Sequence, residues 1–220
     1  MSSANTTRLE NPSRKASGQR GSGDPRSSGD GAEPPRERIV AAARDLFYRH
    51  GIRAVGVDAI AEAAATNKMT LYRHFASKDL LVAECLRRWA AETDAAWDAN
   101  ASAHAGDPRG QLLAWLRFMA EFKLEMAERG CAFNNAVAEL PEKDHPARRV
   151  VEEHKRRSSE RFIALCREAG LQDPELLADQ IFLLCEGARL SVQSVGREGP
   201  AKRLADMLQG LIASHTTPRA

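Results

Sequence analysis

The stretch AEAAATNKMTLYRHFASK, residues 61–78, decides the fold. It predicts the end of one helix, a three-residue turn and a second helix over 68–75, which the side chain of Asn67 can cap. Leu71 and Phe75 lie about one turn apart on that second helix, so we expect both to point inward. The basic, hydroxyl and imidazole groups of the same two turns then lie on or near its outer face. A short helix with such an outer face favours contact with a partner.

These two helices are the second and third of four that the sequence predicts over residues 34–91. The first begins after Pro34 and Pro35 and ends at Gly51, because Pro suits a first helical turn and Gly a helix end. The second covers 57–64, with Gly56 as its N-cap, and Ser77 can cap the fourth, which runs to about residue 91. The apolar residues of the first two recur at helical spacing: Ile39, Ala43, Leu46, Phe47, Val57, Ile60, Ala61 and Ala64.

One run within the deciding stretch carries a family resemblance. Residues 70–75 read TLYRHF, and Lys78 follows after two further residues. Residues 36–90, about a quarter of the chain, resemble the DNA-binding domain of TetR-family repressors, whose characteristic run this is. The match extends upstream through Leu46, Phe47, Gly51, Val57, Ile60 and Ala61. It departs at Gly56, Ala65 and Thr66, where the family commonly has Ser or Thr, Gly, and an apolar residue.

The resemblance implies a DNA-reading role for residues 68–75, as the recognition helix in the major groove. By family analogy the groups that bind the DNA backbone are Thr70, Tyr72, His74 and Lys78. The candidates for base contacts are Lys68, Met69 and Arg73, since Lys and Arg pair with guanine and Met can meet a thymine methyl. In the structural alternative, Tyr72 and His74 pack between helices, but the number of matched positions on one short helix favours the DNA role.

Composition predicts an all-α protein with about nine helices. Ala, Leu, Arg and Glu dominate and β-branched residues are sparse. Residues 1–33, rich in Ser, Gly, Pro and Arg, are predicted to be a disordered tail whose arginines either add affinity for DNA or are inert. Residues 34–90 are predicted to form a three-helix helix-turn-helix DNA-binding domain followed by a larger helical ligand-binding and dimerisation domain over 91–216.

Charge is divided unevenly along the chain, although its formal total is only +2. Residues 34–90 contain ten Lys or Arg and six Asp or Glu, a net +4, whereas residues 91–220 contain seventeen and twenty, a net −3. This asymmetry suits an anionic partner for the first domain. No apolar run is long enough to span a bilayer and the N-terminus lacks the apolar segment of a signal peptide, so we expect a cytoplasmic protein without membrane contact.

Glycine and proline residues divide the region after residue 90 into helices. These helices are predicted to begin at Pro108, Ala132, Pro146, Pro174 and Pro200. The residues predicted to line an apolar ligand cavity between these helices are Trp115, Phe118, Met119, Phe122, Met126, Cys131, Phe133 and Phe162, although any one of them could be ordinary core. Family analogy places a homodimer interface on the last two helices, along Leu177, Ile181, Leu184, Ala188, Leu204, Met207, Leu208 and Leu211.

The expected function is a sequence-specific DNA-binding transcriptional regulator, in the first place a repressor that a small-molecule ligand releases from its operator. Its expected partners are palindromic double-stranded DNA and that unidentified ligand. Repression is the family's usual mode. A narrower alternative is a redox or electrophile sensor that uses Cys131 or Cys185. A DNA-compacting protein without a ligand is a further alternative, which the large C-terminal region disfavours.

An enzyme is the alternative from another class. Glu142 and His145 have the spacing of di-iron helices, but Pro141 and Pro146 flank them and no second copy exists. The chain has no G-x-S-x-G, no H-E-x-x-H and no phosphate-binding glycine loop. Its four cysteines include no C-x-x-C pair, which disfavours a zinc ribbon or a disulfide framework. We therefore expect no catalytic residues, no metal and no cofactor.

Overall fold

The structure is a computed structural model that describes residues 33–123 and 129–216, with the side chains of all of these except Phe122 and Lys123. The predicted tail therefore lies outside the described residues, apart from Glu33. Met126, proposed for the ligand cavity, also lies outside them.

The described residues form nine α-helices and no strand, which confirms the predicted fold class. The helices are α1 (Pro35–His50), α2 (Val57–Ala63), α3 (Lys68–His74), α4 (Lys78–Ala103), α5 (Pro108–Phe118), α6 (Ala132–Glu139), α7 (Pro146–Glu168), α8 (Pro174–Val195) and α9 (Leu204–Ser214). A π-helical turn, Met119–Lys123, continues α5, and a 3-10 turn, Pro200–Arg203, precedes α9. Over the same residues, no helix is both long and apolar enough to cross a membrane.

Side chains cap the starts of α3, α4 and α5, the first two at the predicted residues Asn67 and Ser77. The Asn67 side chain accepts a hydrogen bond from the Thr70 N–H at 2.8 Å, and the Ser77 hydroxyl accepts one from the Leu80 N–H at 3.2 Å. Asp107 likewise accepts from the Gly110 N–H at 2.8 Å. These bonds satisfy donors that a helix start leaves without a partner. The starts of α3, α4 and α5 are thus local properties of the sequence.

Two elements differ from the prediction. Helix α4 does not end near residue 91 but continues to Ala103, because no Gly or Pro interrupts it before Gly106. The predicted boundary between residues 90 and 91 therefore falls inside a continuous helix. After Phe118 the α-helix widens into the π-helical turn, so Met119 to Lys123 are rotated relative to a regular α-helix.

The described residues form two apolar cores. The first joins α1–α4 to α6 and the beginning of α7, around fully buried Ile39, Ile60, Leu71 and Leu81. The second joins α5, the later part of α7, α8 and α9. Helix α7 contributes to both cores, so the N-terminal helices are packed directly on the rest of the chain.

Candidate nucleic-acid interface and ligand cavity

The turn between α2 and α3 has a left-handed residue at its centre. Ala65 has φ +48°, and the Thr66 N–H donates to the carbonyl of Ala61 at 2.9 Å. This is the hydrogen bond of a Schellman helix end, whose left-handed position is usually glycine. Arg38 of α1 holds the turn from behind, with its Nε donating to the Ala64 carbonyl at 3.0 Å and its Nη2 to the Ala65 carbonyl at 3.4 Å.

Helix α3 has one buried face and one open face. Leu71 is fully buried, and Phe75, which follows the helix, is also buried, as predicted. Met69 is 83% exposed and Tyr72 is 44% exposed. Lys68, Arg73 and His74 are exposed as well. Tyr72 and His74 therefore do not pack between helices, and the open face presents a basic, aromatic and thioether surface.

Two lysines at this surface have partners within the chain. The Lys68 ammonium lies 3.2 Å from the carboxylate of Asp58 on α2. The Lys78 ammonium lies 5.9 Å from the ring centre of Phe47, and burial lowers the pKa of Lys78 while Asp79 and Glu139 partly offset that shift. Thr70 is half-buried and its N–H is bonded to Asn67.

A cavity of about 570 Å³ lies between the N-terminal helices and the rest of the chain. This volume is within the range of small-molecule sites. Five of the predicted cavity residues line it: Trp115, Met119, Cys131, Phe133 and Phe162. Phe118 does not line it and instead tilts against Trp115, with the ring centres 5.2 Å apart. The side chain of Phe122 lies outside the described part of the chain, as does Met126.

Sequence reasoning missed the cavity residues of α1 and α4 and a polar group from α7 and α8. Helix α4 contributes Trp89, Glu92 and Thr93. Helix α1 contributes Ala41, Arg44, Asp45 and Tyr48, so the cavity touches the predicted DNA-binding domain itself. A polar group from α7 and α8 also lines it: His154, Lys155, Ser158, Glu186 and Arg189. The available signal was the pair Glu186 and Arg189, which are the only charged residues within the stretch 181–192 of α8.

Glu186 is the centre of the polar group. Its Oε2 lies 2.7 Å from the Lys155 ammonium and its Oε1 lies 3.0 Å from Nη1 of Arg189. The side-chain amide of Asn134 also donates to Oε2 at 2.7 Å. Burial raises the pKa of Glu186, but Arg189 and Lys155 more than offset that effect, so its pKa lies below the ordinary value. Glu186 is therefore a carboxylate at neutral pH.

His154 is held neutral beside this group. It is buried and stacks on Phe133 with the ring centres 4.2 Å apart. Burial, followed by the charge of Lys155, lowers the pKa of His154 to about 4. Its Nδ1 has no hydrogen-bond partner among the described residues.

The predicted dimer stripe needs a correction. Leu177, Ile181, Ala188, Leu204 and Leu208 are buried in the chain's own second core, and Leu184 and Leu211 are partly buried against it. Of the eight predicted residues, Met207 is the exposed one. Apolar residues that face the core and apolar residues that face a partner have the same helical spacing, so the sequence pattern does not distinguish them. Apart from Met207, the residues predicted for the interface are those that face the core. The exposed apolar residues of α8 are Leu176, Leu183, Leu190 and Val195.

All four cysteines are free thiols. Burial raises the pKa of Cys185 to about 11, so this thiol stays protonated and is a poor candidate for redox sensing. Cys131 is half-buried, and its Sγ lies 3.7 Å from Nη1 of Arg189. In the part of the chain that the structure describes, no three His, Cys, Asp or Glu side chains are placed to hold a metal ion.

The turn, the buried face of α3 and its open outer face define a helix-turn-helix protein. A family model described as bacterial regulatory proteins of the tetR family matches residues 39–85. The HTH-type transcriptional regulator UidR of Escherichia coli is 41% identical over 51 residues, which is 23% of this chain and 26% of UidR. The HTH-type transcriptional activator FasR of Mycolicibacterium smegmatis is 36% identical over 86 residues, which is 39% of this chain and 36% of FasR.

The whole helical architecture has a counterpart among solved structures. A TetR-family transcriptional regulator from Streptomyces coelicolor superposes with a TM-score of 0.76 at 28% identity, covering 83% of this chain and 96% of the other. Residues 39–85 therefore match the tetR family of bacterial regulators, and the described helices have the fold of a TetR-family regulator. The matched segments span only about a quarter of UidR and a third of FasR, so they relate the N-terminal region and not the whole of either protein.

Proposed function

We propose that this chain is a sequence-specific DNA-binding transcriptional regulator, acting as a homodimer on a palindromic operator and released by a small molecule. The observation that carries the proposal is the open face of α3. Its side chains project from a short helix whose inner face is anchored by Leu71, so they can enter a major groove without unfolding anything. A repressor is the favoured mode, since a regulator that only blocks a promoter needs no further contact surface.

The proposed contacts divide into backbone and base contacts. Lys78, at the start of α4, and Tyr72, Thr70 and His74 of α3 are assigned to phosphates. Lys68, Met69 and Arg73 are assigned to base edges. To reach a base, the Lys68 side chain must leave its ion pair with Asp58. Both side chains of this pair are exposed, so the pair is easily broken.

Mobility-shift titrations with duplexes from the gene's own upstream region test this division. Tyr72→Ala should weaken binding to all duplexes alike. Arg73→Ala should also relax preference at particular bases, by about 1 to 3 kcal/mol for each lost bidentate contact. Arg167→Ala, an exposed residue near the end of α7, is the control and should bind as the unchanged protein does. Failure of the unchanged protein to bind any upstream duplex would count against the proposal.

The cavity supports the ligand part of the proposal because α1 of the DNA-binding region forms one of its walls. A ligand there can favour one placement of α1 over another, which is the requirement for a coupled switch. Cys131→Trp, which fills the cavity from the start of α6, should reduce the response to an inducer while operator binding persists. In vitro transcription with and without the protein distinguishes repression from the activation named for FasR.

The redox-sensing alternative remains for Cys131, because it lines the cavity and lies beside Arg189. Under that alternative, an electrophile such as N-ethylmaleimide abolishes operator binding by the unchanged protein and leaves Cys131→Ser unaffected. Under the proposal of a reversibly bound ligand, Cys131→Ser still responds to the inducer.

A further inference from the structure

The cavity has an aromatic wall and a cluster of charged residues from α7 and α8, which we call the charged corner. The wall is formed by Trp89, Trp115, Met119, Phe133, Phe162 and Phe182. The corner is formed by Lys155, Glu186 and Arg189, whose side chains are only 17 to 20% exposed. A ligand that fills the cavity therefore meets both aromatic surface and this charged corner.

The charged corner holds two cations and one carboxylate. Both Lys155 and Arg189 contact Glu186, one at each oxygen, so a single negative charge is shared between two positive ones. His154 beside them is neutral at physiological pH, since burial lowers its pKa to about 4. Asp94, the nearby acid on α4, is already paired with Arg157 and Arg161. The corner thus has a local excess of one positive charge.

The other charges that line the described part of the cavity are balanced in pairs. Arg44 of α1 makes two hydrogen bonds to Glu92 of α4, at 2.6 and 2.7 Å. Asp45 is paired with Arg49 at 2.8 Å. The excess positive charge is therefore confined to the corner beside α7 and α8.

Hydrogen-bond donors remain available at this corner. The Lys155 ammonium has three donors and contacts one carboxylate oxygen within the described residues. The Arg189 guanidinium has five donors, and its contacts within the same residues are both made by Nη1, to Glu186 and to the Cys131 sulfur. The corner can therefore accept a further anionic group with several donors.

We infer that the cavity takes an apolar organic acid, whose carboxylate binds at Lys155 and Arg189 and whose carbon skeleton lies against the aromatic wall. The inference rests on the proposed function of the cavity as the ligand site. A carboxylate neutralises the excess charge and makes charge-assisted hydrogen bonds, which are stronger than those of a neutral acceptor. An ammonium ligand would add a third positive charge to the same corner.

Matched probes of three charges test the ligand class directly. Phenylhexanoate, phenylhexanamide and phenylhexylamine share one frame, and decanoate, decanamide and decylamine share another. Calorimetric titration of the full chain without DNA, near neutral pH, should show the acid binding about ten- to hundredfold more tightly than the amide in at least one series. Binding of the amide or amine as tightly as the acid in both series overturns the inference, and so does the absence of binding by all six probes.

Substitutions at the corner give effects of opposite sign. Lys155→Gln and Arg189→Gln each make the corner neutral, so each should reduce the preference for acid over amide by about tenfold or more. Glu186→Gln raises the local excess to two positive charges and should strengthen acid binding. A purely structural role for the three residues predicts weaker binding in every variant. Arg156→Gln, an exposed residue on α7 that pairs with Glu160, is the control.

Two further measurements separate the possible failures. Thermal unfolding of each variant identifies those that do not fold, and Lys155→Gln and Arg189→Gln provide independent tests of the same prediction. Operator binding is measured separately by mobility shift. A protein that binds its operator but shows no preference for acids contradicts this inference alone, whereas a protein that prefers acids but binds no operator contradicts the proposed function.

Discussion

At the residue scale, Ala65 has an unfavourable backbone conformation that the helix-turn-helix tolerates. Its φ of +48° is the conformation that the Schellman bond to Ala61 requires, and its Cβ makes that conformation costly for alanine. We predict that Ala65→Gly raises the free energy of unfolding by up to about 1 kcal/mol, since glycine adopts this region freely. Urea denaturation measures the change. Ala59→Gly, inside α2, is the matched control and should lower the free energy of unfolding by about 0.5 to 1 kcal/mol.

His154 is the residue through which stability should depend on pH. Its pKa is about 4 in the folded protein against 6.5 ordinarily, so between these values the unfolded chain binds a proton that the folded chain does not. The contribution of neutral His154 to the free energy of unfolding is fully present above about pH 6.5. It is lost as the pH falls towards 4, and the total loss is about 3 kcal/mol.

Urea denaturation at several pH values between neutral and 4.5 tests this dependence. The variant His154→Phe keeps a ring that can stack on Phe133, and its free energy of unfolding should fall much less at acid pH. His50→Gln, at an exposed position, is the control and should keep the decline of the unchanged protein. An equal decline in His154→Phe and the unchanged protein would show that other groups cause it.

At the element scale, α6 joins the cavity to the DNA-binding helices. Its N-cap residue Cys131 lies in the cavity wall, and Glu139 at its other end accepts a hydrogen bond from the N–H of Arg53 at 2.8 Å. Arg53 lies in the turn between α1 and α2. Gly51 permits this approach, because a Cβ there would lie 3.1 Å from the Glu139 carboxylate. The helix therefore spans eight residues between the proposed ligand and the proposed DNA-binding region.

Removal of the Glu139 carboxylate should loosen this connection. We predict that Glu139→Ala speeds hydrogen exchange at the Arg53 amide, because that N–H loses its acceptor. Exchange measured by NMR or mass spectrometry tests the prediction, with Glu142→Ala, an exposed residue just beyond α6, as the control. Unchanged exchange at Arg53 would mean that α6 does not hold the turn through this bond.

At the scale of the whole molecule, the outer face of α8 is where a second copy should bind. Leu176, Leu183 and Leu190 recur every seven residues, and Leu183 is 68% exposed. We predict that Leu183→Glu combined with Leu190→Glu converts the proposed dimer to a folded monomer and weakens operator binding, since two recognition helices must act together. Sedimentation velocity measures the change in mass.

Two other substitutions distinguish this surface from the core and from exposed leucines in general. Leu177 lies on the buried side of the same helix, so Leu177→Glu should unfold the chain. Leu113→Glu, on the outside of α5, should leave the oligomeric state unchanged. A double variant of Leu183 and Leu190 that sediments as the unchanged protein does would contradict this choice of face.

The sequence by itself determined the elements whose signals are local. Asn67, Ser77 and Asp107 bond to backbone groups three residues away, so their helix starts could be read directly. The alternation of Leu71 and Phe75 with polar residues likewise settled which face of α3 is buried. Only the tertiary structure decided features that depend on distant residues. Lys155 and Glu186 meet across 31 positions, α1 reaches the cavity, and α8 has two apolar faces between which only packing against α7 and α9 discriminates. Helical periodicity reports which residues share a face but not what that face meets.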